Sequence, residues 1–69
     1  MKVYLVITAY QDEYEIHGAY LDSNQALVRQ QAERRKFLEY LGSYKPRRLD
    51  DMLEAIHIKE MEISDANEQ

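Results

Sequence analysis

The chain has 69 residues, a net charge of −4 and no cysteine. That length allows one domain with a barely sufficient core, because a fold this small buries roughly 60 % of the surface its unfolded chain exposes. Without thiols there can be no disulfide, no thiolate zinc site and no cysteine nucleophile.

Residues 2–10 form the first strand-like run, in which Val3, Leu5 and Ile7 alternate with Tyr4, Val6 and Thr8. Both sets are apolar or β-favouring, as expected of a central strand buried on two sides. Gln11–Asp12–Glu13 is polar and predicts a hairpin loop of three to five residues. The second run, residues 14–21, puts Tyr14, Ile16, Gly18 and Tyr20 on one face. Gly18 is expected to mark a bulge or a close backbone approach.

Asp22 and Ser23 can accept from orphan backbone N–H groups, which predicts a helix start. The helix should end near Tyr40 or Leu41, with Gly42 as its left-handed stop. Ala26, Leu27, Phe37, Leu38 and Leu41 share one side at 100° per residue. Gln30 and Arg34 fall in the same stripe; either their stems pack and their heads reach water, or Arg34 is a partly buried contact residue. Pro46 breaks any continuation. Leu49–Glu54 then reads as a short second helix, and Ile56–Ile63 as a third strand in which a bulge near Lys59–Glu60 would align Ile56, Ile58, Met61 and Ile63. Residues 64–69 read as a frayed tail outside the single domain of residues 1–63.

This order predicts an α+β fold of ββαβ type. A helical crossover sets the second and third strands parallel, so the sheet order is 2-1-3, with the long helix on one face. The other face keeps apolar side chains, either Tyr4, Val6, Thr8 or Val3, Leu5, Ile7. Tyrosine tolerates a half-wet site, which favours the first set, and the expected partner-binding residues are Tyr4, Val6, Thr8, Tyr10, Tyr14 and Ile16. An uncovered apolar face marks an interface with a protein partner, a second copy in a homodimer included. Alternatively, the loop at residues 43–48 or the short helix roofs it.

The charge is segregated. Residues 29–48 carry +5, residues 1–28 carry −3 and residues 49–69 carry −6. The basic segment offers a second reading, nucleic-acid binding by Arg34, Arg35, Lys45, Arg47 and Arg48 with Tyr40 and Tyr44 as stacking surfaces. His17 and His57 are expected on separate edge strands, roughly 9–10 Å apart across the middle one, too far to share a metal. Asp50–Asp51 and Glu60 with Glu62 read as a solvated helix start and strand edge. With no phosphate loop and no paired nucleophile and base, neither an enzyme nor a cofactor is expected. The residues that open the chain read as strand and none is a signal or membrane segment, which predicts a cytoplasmic protein.

The strand Lys2–Val3–Tyr4–Leu5–Val6, the strand end Ala19–Tyr20–Leu21 and the helix entry Asp22–Ser23–Asn24–Gln25–Ala26 together resemble very small phage and prophage proteins. The resemblance spans most of residues 2–63. It implies a hairpin, a helix and a final strand, and a role in binding and inhibiting a host or antiviral defence protein.

Overall fold

A computed structural model of the chain describes residues 1–63. Its elements are β1 (Lys2–Tyr10), β2 (Glu13–Tyr20), α1 (Ser23–Leu41), α2 (Leu49–Glu54) and β3 (Ile56–Glu62). The sheet order is β2-β1-β3, and both pairings are antiparallel, so β2 and β3 run in the same direction on either side of β1. The architecture is α+β, with one long helix across a three-stranded sheet. The frayed tail proposed for residues 64–69 lies outside the described residues.

The hairpin is tighter than expected. Tyr10 pairs with Glu13, leaving a two-residue loop of Gln11 and Asp12. Gln11 sits at φ 55, a left-handed conformation that costs a β-carbon-bearing residue roughly 1–2 kcal/mol. Further along, Val6 faces Gly18 while Ile7 faces Ile16, so His17 is the extra residue of a bulge in β2. A β-carbon on Gly18 would lie 2.8 Å from the Tyr20 hydroxyl oxygen. The glycine thus marks a bulge, as expected, and the close approach is that of the Tyr20 side chain rather than of another backbone. The bulge expected near Lys59–Glu60 is not: β3 pairs with β1 in unbroken register from Ile56 to Glu62. Met61 consequently points to the opposite face from Ile56 and Ile58.

α1 begins where the Asp22 carboxylate accepts from the Asn24 N–H at 2.8 Å. It ends at Gly42, whose φ is 62 and whose N–H returns to Leu38 and Glu39 carbonyls. The face it lays on the sheet carries Ala26, Gln30 and Glu33, all buried. Leu27 and Leu38, expected in that stripe, instead sit on its flank and stay largely exposed.

Gln30 and Arg34 do not carry their heads to water. Gln30 Nε2 donates to the Ile56 carbonyl at 3.0 Å. Arg34 Nε donates to the Leu53 carbonyl at 2.9 Å and Nη2 to the Ile56 carbonyl at 3.0 Å. These groups belong to the last turn of α2 and the first residue of β3, where carbonyls lack partners of their own. Arg34 is thus the partly buried contact residue, and the contact is internal.

The molecule spans 14 Å through its thinnest axis, which a helix and a sheet about 10 Å apart fill. Met52 of α2 lines the helix side, and α2 is tied by Leu53 to Arg34. α2 therefore lies on the helix side and does not roof the far side of the sheet.

Candidate functional site

Register decides which side chains meet the helix. Thr8 Oγ1 contacts His17 Nε2 at 2.6 Å, and His17 faces Glu33 of α1. Alternate residues of β1 share a face, so Tyr4, Val6, Thr8 and Tyr10 lie on the helix side. Val6 is fully buried there, at 0 % exposure. The expectation that these four form the uncovered set is corrected: Val3, Leu5 and Ile7 face away from the helix. Tyr14 and Ile16 do lie on that open face, opposite Ala9 and Ile7. The bulge at His17 switches parity, so Glu13, Glu15 and His17 join Gly18 and Tyr20 on the helix side.

The open face thus has a central row of Val3, Leu5 and Ile7. Ile16 and Tyr14 flank it on β2, and Met61 flanks it on β3. Within the row Val3 and Ile7 are themselves buried, at 9 % and 2 % exposure, and Ile7 is paired with Ile16 on one side and His57 on the other. Tyr14, Ile16 and Met61 are 60 %, 56 % and 39 % exposed. Lys59 and His57 are the polar members, and the His57 ring stays local, with Nδ1 2.9 Å from the Ala55 carbonyl. The two histidines lie on opposite faces, and among the described residues no group of three acids and histidines could hold a metal.

On the helix side, a groove of about 510 Å³ opens between the hairpin end of the sheet and the C-terminal half of α1. A polar chain that sequence reading missed starts in the groove at Glu15, His17 and Glu33 and continues outside it to Arg29 and Tyr20. His17 Nδ1 lies 3.4 Å from Glu33 Oε1 and 3.8 Å from Glu15 Oε1. Arg29 Nε donates to Glu33 Oε2 at 2.7 Å, and its Nη1 donates to the Tyr20 hydroxyl at 3.1 Å. Burial alone would raise the Glu33 pKa, but the Arg29 hydrogen bond and the charges of His17, Lys36 and Arg29 prevail and hold it below the usual carboxylate value.

Hydroxyl, imidazole and carboxylate stand here in the order that activates a nucleophile. An oxyanion would also need converging N–H donors. The amide that follows Thr8, on Ala9, is already bonded to the Ala55 carbonyl at 3.1 Å. Among the described residues no buried side-chain nitrogen or oxygen lacks a hydrogen-bond partner, so these groups are satisfied within the fold. The sequence signal of this network was the four-residue spacing of Arg29 and Glu33, which places the pair on one helix face.

Of the five basic residues expected to bind nucleic acid, Arg34 does not join the others at the surface. Arg34 is turned inward, while Arg35, Lys45, Arg47 and Arg48 are exposed on α1 and the following loop. Asp50 and Asp51 occupy the first turn of α2, as expected. Glu60 pairs with Lys2 at 3.2 Å and Glu62 with the Met1 ammonium at 2.9 Å, tying the two strand ends together.

The class defined by this geometry is a two-layer α+β domain in which, among the described residues, α1 covers one sheet face and no helix or strand covers the other. The chain belongs to the family described as domain of unknown function DUF7336, whose model matches residues 1–69. No curated protein and no solved structure matches it. Among the described residues, no helix is long and apolar enough to cross a membrane.

Proposed function

We propose that this chain is a non-enzymatic protein-interaction module that docks a partner protein on its open sheet face. The observation that supports this most is the exposed Tyr14–Ile16–Met61 rim around the Val3–Leu5–Ile7 row, over which no helix or strand packs among the described residues. Contiguous apolar surface on a small domain is characteristic of interfaces. The resemblance to small phage proteins gives this reading its specific form, an inhibitor of a host or antiviral defence protein acting in the cytoplasm.

Size decides what kind of partner fits. Seven paired positions along β1 at about 3.3 Å each, across three strands about 4.8 Å apart, give a footprint of roughly 300–350 Å². Allowing for side-chain relief, two copies packed face to face bury at most about 1,000 Å², below the range of stable complexes. A homodimer through this face is therefore weak, and a larger partner reaching past the strand edges is the tighter occupant. Ile16→Glu with Met61→Glu should abolish both weak self-association in sedimentation and partner binding, while circular dichroism stays unchanged. Undiminished binding by the folded double variant would refute the reading.

A second reading retains one observation. Tyr44 is exposed beside Lys45, Arg47 and Arg48, which offers a stacking ring among cations to a single strand.

A further inference from the structure

We propose that the groove on the helix side is a second recognition site, for an arginine side chain presented by a partner polypeptide. It is independent of the open face, since it lies on the other side of the sheet. Its walls are apolar: Phe37 and Tyr40 from α1, Met52 from α2 and Tyr10 from β1. Tyr40 is 84 % exposed, an aromatic ring with no packing role that accounts for it. Across the groove, Glu13 and Glu15 lie two residues apart on the helix-side face of β2, both exposed.

The charges select the ligand. Three carboxylates, Glu13, Glu15 and Glu33, line the groove with the Lys36 ammonium and the His17 imidazole. Glu33 is already answered by Arg29, so it anchors the base and receives nothing. Glu13 and Glu15, the latter with only a 3.8 Å contact to His17 Nδ1, remain against the ammonium of Lys36, and no salt bridge joins Lys36 to either. A phosphate or carboxylate ligand would meet two carboxylates. A cation with an apolar stem meets aromatic walls along its length and carboxylates at its head. Guanidinium suits both contacts better than ammonium, because it is planar, stacks on rings and pairs with carboxylate through two parallel N–H groups. The 510 Å³ volume is several times that of one side chain, so the neighbouring residues of a peptide enter with it.

The test is an NMR titration of the intact chain with the capped tripeptide Ala-Arg-Ala, alongside the same peptide carrying lysine, citrulline or glutamate. The arginine peptide should move the Glu13, Glu15, Lys36 and Tyr40 amides with millimolar affinity, the lysine peptide should bind more weakly, and citrulline and glutamate should not bind. Glu13→Gln with Glu15→Gln should weaken binding about fivefold or more, the value of two exposed ion pairs. Tyr40→Ala should weaken it about threefold through the lost cation–π contact. All three positions are exposed, so unchanged signals elsewhere will certify the fold. Equal shifts from citrulline, stronger shifts from the glutamate peptide, or no groove shifts at about 10 mM peptide would each overturn the proposal. None of these outcomes bears on the open face.

Discussion

Gln30 and Arg34 share an acceptor, and that sharing predicts how their loss combines. Replacing Arg34 by Met removes one charged bond to the Leu53 carbonyl and one to the Ile56 carbonyl, but Gln30 still serves Ile56. The expected loss is that of the Leu53 bond, about 1–1.5 kcal/mol once the value for a charged donor is discounted for partial exposure. Gln30→Met alone leaves Arg34 on Ile56 and should lose about 1 kcal/mol. The double replacement leaves a buried carbonyl with neither partner, which adds about 1–2 kcal/mol beyond the sum of the singles. Urea denaturation of the four proteins, followed by circular dichroism, measures this coupling. A domain of this size has only about 3–5 kcal/mol to lose, so the cycle is run in trimethylamine oxide to keep the double variant folded. Additivity within about 0.5 kcal/mol would refute the claim that these side chains lock the α2–β3 junction.

Three further predictions concern the hairpin, acid stability and the basic loop. Gln11→Gly should raise stability by about 0.5–1 kcal/mol, the left-handed strain relieved less the entropy of glycine, seen as a melting temperature higher by a few degrees; a lower one would deny the φ of this turn. The Glu33 pKa is depressed in the fold, so its stabilisation is fully present above the ordinary carboxylate value of 4.5 and is lost as pH falls through the lower folded value. Urea midpoints between pH 5 and pH 3 should therefore fall more steeply in the native chain than in Glu33→Gln, and parallel slopes would contradict the network. If the basic loop binds single strands, Arg47→Glu with Arg48→Glu removes binding together with its steep salt dependence; Arg34→Met should leave that slope unchanged, because Arg34 faces inward.

Much of the fold was legible because its signals are local. Asp22 and Gly42 bracket α1 by capping chemistry, and Leu49–Glu54 follows from helical spacing after Pro46. The 2-1-3 order follows from a hairpin joined to a crossover. The site was less legible, because it depends on which face the helix covers. Both parities of β1 are apolar, so alternation alone leaves two answers, and the affinity of tyrosine for wet sites pointed to the wrong one. Tyr4 and Tyr10 instead stand half-buried on the helix side. The one-residue bulge at His17 then brought Glu13, Glu15 and His17 beneath α1. No rule of strand periodicity anticipates that, although Gly18 marks the place. Glu33 was overlooked because a carboxylate in the buried stripe makes sense only once Arg29 and His17 are seen around it.

The open face is tested most directly by placing a photo-crosslinking phenylalanine at position 16 or at position 28, within cells of the source organism. Ile16 lies on the uncovered sheet, whereas Val28 lies on the outer surface of α1 and is 69 % exposed. Docking on the sheet predicts a discrete adduct from position 16 that excess native chain competes away, and none from position 28. An adduct from position 28 with none from position 16 would put the partner on the helix and contradict the account.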